Sequence, residues 1–284
     1  MTSTSYPSTK TLILPSCGHG GVGQLALDAL MNTVICASPS TKRRTFLTAH
    51  VSPMASTMAL DDDASALVGA VEWIETDEAV LLQIRAPVLP GHARMLADEI
   101  CAWASAAARV LVLGGIDANS RSDEQMRSLQ IRAIATTASR GGGEWAREGC
   151  VPLEATVGQD AFASLSTGVA SAASKSSAPP TPPTVDDDGG AGSVSLAAAA
   201  LVDGYCGLLV PLLEARERAG AKGLGLAVWT DETAANFVRS LELGALGAAQ
   251  LGAGVLIAEG VALRPPQSWA VAQRGRECDP SLFM

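Results

Sequence analysis

The apolar residues of the first forty positions follow the pattern of a strand, a turn and a helix. Residues 11–14 (TLIL) form a short apolar run that stops at Pro15. A glycine-rich segment, SCGHGGVG, comes next, and residues 23–35 (GQLALDALMNTVI) then carry apolar side chains at helical spacing. The pattern therefore predicts a strand, a flexible turn and a helix.

A second set of elements follows in the next part of the chain. Residues 69–75 (GAVEWIE) and 79–88 (AVLLQIRAPV) are strand-like, and the polar break at 76–78 predicts a hairpin between them. Residues 94–108 predict an amphipathic helix, and the apolar run RVLVLGG at 109–115 predicts a buried strand. A helix followed by a buried strand is typical of a parallel sheet covered by helices.

The remaining elements continue this alternation. Residues 129–136 predict a short strand, an Ala-rich helix is expected from residue 196, and GLGLAVWT at 223–230 predicts another strand. A further helix is expected at about 232–251, with Asp231 as its N-cap. The fold class predicted by this order is α/β.

One segment lacks the composition of a folded element. The Ser-, Pro- and Asp-rich residues at about 171–195 include SKSSAPPTPPT and DDDGG, which cannot bury enough apolar surface to offset their ordering entropy. We therefore expect a flexible N-terminus at 1–10 and a single domain at 11–284. A disordered insertion at 171–195 is expected to interrupt that domain, and a tail at about 279–284 to end it.

Composition and charge narrow the classes of partner. Of the 284 residues, 48% are hydrophobic and 17% charged, and the formal charge is −9. An acidic chain without a basic stripe is repelled by nucleic-acid phosphates and anionic lipid, so we expect neither nucleic-acid binding nor a membrane role.

The first residues predict no secretory signal. Six cysteines without a CxxC pair favour reduced thiols, as in the cytosol or the nucleus.

The glycine-rich turn at residues 18–23 is the most conspicuous candidate for chemistry. Gly18, Gly20 and Gly23 have GxGxxG spacing, but no acidic residue closes a second strand, and no Lys-Ser/Thr pair follows. One interpretation is an anion cradle at a helix N-terminus. The other is a tight turn that lets the helix pack close to the sheet. The second is favoured.

Other catalytic or metal-binding patterns are absent from the sequence. His19, His50 and His92 lack the spacing of a metal site and are expected to be surface or loop histidines. The sequence contains no GxSxG motif, so this signature of a hydrolase is missing. We therefore predict no metal, no cofactor and no enzymatic activity.

The last residues of the sequence are unusually apolar. Leu282, Phe283 and Met284 follow Asp279-Pro280. Such a tail can pack back on its own domain, or it can enter a pocket on a partner through its apolar side chains and terminal carboxylate.

Several of these motifs together resemble one known family. They are Gly21-Val22-Gly23-Gln24-Leu25-Ala26-Leu27-Asp28, the strand Val80-Leu81-Leu82-Gln83-Ile84-Arg85, the strand 108–113, and a C-terminal PQSW followed by PSLF. In order and spacing they look like the proteasome assembly chaperone 2 family, over roughly 11–136 and 196–284. In this resemblance Gly21, Gly23 and Gln24 belong to a structural loop of the family.

The resemblance implies a three-layer αβα sandwich similar to purine nucleoside phosphorylases but without their catalytic groups. It also implies a heterodimer with a proteasome assembly chaperone 1-like subunit. Such a heterodimer binds proteasome α subunits, promotes assembly of the core-particle α ring and blocks premature docking of regulators.

The resemblance gives the C-terminal tail a role as well. Related chaperones and activators insert a C-terminal hydrophobe–tyrosine–any-residue motif between α subunits, where a lysine meets the carboxylate. Here Leu282, Phe283 and Met284 occupy those three positions.

The alternative function is a phosphorylase-like or nucleotide-binding enzyme that uses the turn at 18–23.

Overall fold

The computed structural model describes ten stretches of the chain. They are residue 6 and residues 9–53, 55–56, 68–118, 131–140, 151–152, 207–230, 240–241, 243–245 and 263. The predicted insertion at 171–195, the tail at 279–284, Asp231 and most of the N-terminus lie outside these residues.

The described residues form an α/β fold around one mixed sheet. The described strands are β1 Thr11–Pro15, β2 Arg44–Thr45, β3 Ala55–Ser56, β4 Val68–Gly69, β5 Val71–Glu75, β6 Ala79–Ile84, β7 Arg109–Asp117, β8 Ile131–Ala135, β9 Val151–Pro152 and β10 Gly223–Thr230. Eight of them form the main sheet in the order β2-β5-β6-β1-β7-β10-β8-β9, and β3 pairs with β4 in a separate two-stranded sheet.

Four consecutive strands of the sheet, β6, β1, β7 and β10, are parallel to one another. At one side β5 is antiparallel to β6, which confirms the predicted hairpin, and at the other side β8 is antiparallel to β10. The predicted parallel arrangement is therefore found in these four central strands and again between β8 and β9 at one edge.

Helices cover both faces of the sheet. They are α1 Val22–Ala37, α2 Ala93–Trp103, α3 Thr137–Arg140 and α4 Leu209–Arg218. Successive residues of β1 point to opposite faces. Ile13 belongs to the apolar cluster that includes α1, and its neighbours Leu12 and Leu14 belong to the cluster that includes α2 and α4. The unbroken apolar run of β1 follows from this burial on both faces.

The first helix is the most apolar one described. By length and composition, His19–Ala37 could cross a membrane, and 56% of the window is buried inside the fold. Leu27 and Met31 have no exposed surface and belong to the core cluster on the α1 face of the sheet. Packing against the sheet accounts for this composition.

Helix α2 ends earlier than the sequence pattern predicts. The expected helix at 94–108 stops at Trp103, and the next residues form a turn. The guanidinium of Arg216, 2% exposed, donates from Nη2 to the carbonyl of Ala107 (3.1 Å) and from Nη1 to that of Ala104 (3.5 Å). The turn therefore depends on a residue of α4, more than a hundred positions away, and the local Ala-rich sequence carries no sign of it.

Aromatic side chains gather where α2 meets the edge of the sheet. The ring of Trp103 makes edge contacts with Tyr6 (5.0 Å between centroids), Phe46 (5.1 Å) and Trp73 (5.5 Å). The guanidinium of Arg44 lies 4.7 Å above the ring of Trp73. This cluster joins β2, β5 and α2 at one corner of the fold.

The other predicted elements agree with the structure where it describes them. The strand expected at 129–136 is Ile131–Ala135, and the one expected at 223–230 is Gly223–Thr230. Of the helix expected at 232–251, residues 240–241 and 243–245 are described, and they are helical. Of the helix expected from 196, the described part is α4.

Candidate functional site

Two of the motifs that carry the family resemblance, residues 21–28 and 80–85, meet in space at the junction of α1 and the β5–β6 hairpin. Strand β6 lies beside β1, and α1, which follows β1, packs over both strands. The side-chain amide of Gln24 donates to the carbonyl of Ile84 (3.2 Å), and the amide of Gln83 donates to the carbonyl of Gln24 (2.8 Å). These bonds join the middle of one motif to the end of the other.

An ion-pair network continues from this junction. Arg85 Nη2 lies 2.9 Å from Asp28 Oδ1, and Arg85 Nη1 lies 3.4 Å from Glu72 Oε2. Gln83 also donates to Asp28 Oδ1 (2.6 Å), and Glu72 Oε1 accepts from the backbone N–H of Gly69 (2.6 Å). The network fastens α1 to both strands of the hairpin.

The network is largely shielded from water. The side chains of Asp28 and Arg85 are 18% and 16% exposed, and that of Glu72 is 4% exposed. Burial raises the pKa of the Asp28 carboxyl, while Arg85 and the Gln83 amide act in the opposite direction. The polar groups of the motif thus bind one another, and the geometry gives them a positioning role inside the fold.

The glycine-rich turn has the geometry of close packing. Gly20 and Gly21 adopt the left-handed conformation, with φ of 68° and 63°. Gly23 lies so close to the carbonyl of Leu113 on β7 that a Cβ at this position would overlap it. The turn therefore brings the first residues of α1 directly against β7.

The turn also contacts the carboxyl ends of the neighbouring strands. His19 Nε2 lies 4.0 Å from Asp117 Oδ1 at the end of β7. Thr230, at the end of β10, places its hydroxyl 3.5 Å from the carbonyl of His19 in the turn and 3.3 Å from that of Ile116 on β7, and both carbonyls can accept from it. The adjacent Cys17 is partly buried, and this burial raises the pKa of its thiol to about 12, so it stays protonated at neutral pH. The Asp117 carboxylate beside the turn does not favour an anion there.

His19 begins a short 3-10 helix and the other two histidines lie in loops, where they are closer together than their sequence spacing indicates. Nδ1 of His50 lies 3.1 Å from Nδ1 of His92. Sequence reasoning missed this pair, because 42 positions separate the two residues and no local pattern joins them. Among the described residues, no group of three or more His, Cys, Asp or Glu side chains could hold a metal ion.

The structure describes only part of the predicted site residues and cysteines. It places Gly21, Gly23 and Gln24 in the turn and the first turn of α1, whereas Leu282, Phe283 and Met284 lie outside the described residues. Among the described cysteines, the thiols that are free are those of Cys17, Cys36 and Cys101.

Curated proteins similar to this chain share one description. The chain is 28% identical to proteasome assembly chaperone 2 of Mus musculus over 134 residues, which are 44% of this chain and 49% of that protein. It is 30% identical to the Danio rerio protein of that name over 137 residues, covering 45% and 51% of the two chains. The chain resembles proteasome assembly chaperone 2.

This similarity confirms the resemblance predicted from the motifs, and it has a defined extent. The chain spans about half the length of the curated relatives it matches. No protein-family model matches the chain.

Two solved structures share this fold. Pyrococcus furiosus PbaA, described as an archaeal homolog of proteasome-assembly chaperone, superposes with a TM-score of 0.53 at 14% identity. The match covers 96% of this chain and 98% of that one. A Thermoplasma acidophilum protein of unknown function superposes with a TM-score of 0.55 at 11% identity, covering 98% and 93% of the two chains. At these identities the likeness concerns the fold.

Proposed function

We propose that this chain is a non-enzymatic subunit of a proteasome assembly chaperone. In this proposal it pairs with a proteasome assembly chaperone 1-like subunit and binds proteasome α subunits. The heterodimer promotes assembly of the α ring of the 20S core particle and blocks premature docking of regulators. It acts in the cytosol and the nucleus without a cofactor, and neither nucleic acid nor membrane takes part.

The observation that carries this proposal is the similarity to proteasome assembly chaperone 2, together with the shared fold of PbaA. The internal geometry is compatible with a binding role. The polar side chains of the shared motifs bind one another between α1 and the hairpin. They therefore support a rigid shape on which a partner can dock.

Copurification tests the proposal directly. The full chain, expressed with an affinity tag at its N-terminus in a eukaryotic host, should recover proteasome α subunits and one second chaperone of similar size. The Arg85→Met variant, in which the ion-pair network is broken, is purified in parallel. A lower recovery of the partners with this variant would show that their binding depends on the intact fold. Recovery of neither α subunits nor a second chaperone from soluble, folded chain would contradict the proposal.

We further propose that Leu282, Phe283 and Met284 form a docking tail. Their apolar side chains suit insertion into a pocket between α subunits. Phe283 lacks the hydroxyl of a tyrosine, and one hydrogen bond contributes about 0.5–1.5 kcal/mol net. We therefore expect the second chaperone to supply the stronger contact.

The tail has its own set of variants. Deleting residues 282–284 should weaken capture of α-ring intermediates, and Phe283→Tyr should strengthen it by about 2- to 12-fold. Ser281→Ala is the matched control, since it alters the same tail without removing an apolar anchor. Unchanged capture after the deletion would disprove the docking role of the tail and leave the chaperone proposal standing.

A further inference from the structure

Two histidines join separate parts of the chain near the start of α2. Their Nδ1 atoms are 3.1 Å apart, and their rings meet edge to face with centroids 5.2 Å apart. His50 lies in the segment of residues 46–53, between β2 and β3. His92 is the residue that precedes α2, and its carbonyl accepts from the N–H of Leu96.

Backbone hydrogen bonds run beside this histidine pair. The N–H of Leu89 donates to the carbonyl of His50 (2.9 Å), and the N–H of Ser52 donates to the carbonyl of Pro87 (2.9 Å). Val51, between them, is 6% exposed and belongs to the core cluster that includes α2. Around Val51 the segment is thus held over the core by these two backbone hydrogen bonds and the imidazole contact, while Thr48 and Phe46 anchor its start through Glu99 and Trp103.

The imidazole contact requires one ring nitrogen without a proton. A neutral imidazole has one donor and one acceptor nitrogen, whereas an imidazolium has two donors. With a proton on Nε2 of His50, Nδ1 of His50 can accept from Nδ1 of His92. If both rings were protonated, two donors and two like charges would face each other at 3.1 Å.

Charged groups on α2 determine how many protons the pair can hold. Glu99 Oε2 lies 3.8 Å from Nε2 of His50 and accepts a hydrogen bond from the Thr48 hydroxyl (2.5 Å). The other acidic residue of α2, Asp98, is paired with Arg218. The carboxylate of Glu99 therefore supports one positive charge on the pair and leaves a second one uncompensated.

The flanking basic groups are engaged elsewhere. Arg94, at the start of α2, is paired with Glu214 on α4. Arg85, on the other chain segment beside the pair, is held in the network of Asp28 and Glu72. The 46–53 segment itself contributes His50 as its titratable side chain.

We propose that His50 and His92 form a proton-sensitive clasp that holds the 46–53 segment against the start of α2. The first proton leaves the clasp closed, and the second one opens it. Opening exposes the apolar site of Val51 and frees the backbone of the segment. Because the open form binds one more proton than the closed form, acid favours it by up to about tenfold per pH unit.

Hydrogen exchange of the full chain tests the clasp. Protection of the Ser52 and Leu89 amides, the intrinsic exchange rate divided by the observed rate, is compared between about pH 7 and pH 5. We expect protection of both amides to fall by about tenfold or more over this interval, while amides of β7 keep theirs.

Two variants show whether the histidine pair is the cause. His92→Gln keeps a side chain that can donate and accept but cannot be protonated, so its Ser52 and Leu89 protection should be independent of pH. His19→Gln removes a histidine next to Asp117 instead and should behave like the native chain. His50→Gln replaces His92→Gln if the latter does not fold.

The proposal is overturned by either of two results. One is equal protection of the two amides at both pH values in the native chain. The other is an acid-dependent loss that persists in His92→Gln or His50→Gln, which would place the titrating group elsewhere.

Discussion

Arg85 and Asp28 are 57 positions apart in the chain, and their side chains meet at 2.9 Å. The same guanidinium reaches Glu72 on β5, so one side chain connects α1 with both strands of the hairpin. Each of the two carboxylates faces the cation from a different element. Arg85 is therefore the central member of the network.

Replacing Arg85 should destabilise the fold strongly. In Arg85→Met, two poorly solvated carboxylates remain together without a cation, and breaking a buried pair in this way costs about 3–5 kcal/mol. Because Arg85 and Asp28 keep some exposure, we expect the lower end of this range. Equilibrium urea unfolding measures it.

Arg94→Met is the matched control for this substitution. Arg94 is 70% exposed and lies 3.6 Å from Glu214, so its loss should cost at most about 1 kcal/mol. Equal losses in the two variants would show that the network contributes no more than a surface ion pair.

The network also predicts a pH dependence. Burial raises the pKa of Asp28 above the ordinary value of about 3.9, so the folded state favours the protonated form. The stability from this group is complete below that ordinary value and is lost as the pH rises through the folded pKa. Asp28→Asn cannot ionise and keeps an oxygen that accepts from Gln83.

The free energy of unfolding of Asp28→Asn, relative to the native chain, should therefore increase between about pH 4 and pH 7. Urea unfolding of both proteins at several pH values in this range checks the sign. A relative stability that decreases with pH would mean that pairing with Arg85 outweighs burial.

Arg216 should resist even a conservative substitution. Its guanidinium donates to the carbonyls of Ala104, Ala107 and Lys222, and a lysine ammonium cannot reproduce this fork. Arg216→Lys should cost about 1–3 kcal/mol, because buried acceptors lose their donors.

Its matched control lies two residues further along α4. The exposed Arg218 pairs with Asp98 at the surface, and Arg218→Lys should change the unfolding free energy by less than about 1 kcal/mol. If both lysine variants were equally stable, the turn after α2 would not depend on Arg216.

Gly23 has no room for a side chain. A methyl group there would overlap the carbonyl of Leu113, so Gly23→Ala should move α1 away from β7 and destabilise the fold by about 1–3 kcal/mol or more. Thermal unfolding measures the loss.

Gly91→Ala separates this overlap from the effect of adding a methyl group. Gly91 has open space around it and a φ of 78°, so its variant should lose only about 1 kcal/mol, through backbone strain. A Gly23 variant as stable as this control would contradict the close packing of α1 on β7.

Local patterns predicted the elements whose apolar runs are set by burial. Strand β1 and the β5–β6 hairpin are readable because their side chains alternate between the two core clusters. The predicted end of α2 at residue 108 lies five residues beyond the observed end at Trp103, because a side chain of α4 holds the turn that follows the helix. The antiparallel direction of β8 depends on its pairing with β10, which no local signal encodes.

The candidate site was predictable in part for a similar reason. The motifs containing Asp28 and Arg85 are visible in the sequence, but their contact requires β6 to lie beside β1. The His50–His92 pair gave no signal at all, because it joins two loops.

The edge contact between Trp73 and Trp103 gives this protein an optical reporter of its own. Two indole rings 5.5 Å apart and inclined by 62° interact electronically, and such a pair contributes to the near-ultraviolet circular dichroism. One indole belongs to β5 and the other to α2, so this signal follows their separation. The docking of that helix on the sheet can therefore be monitored without an attached dye.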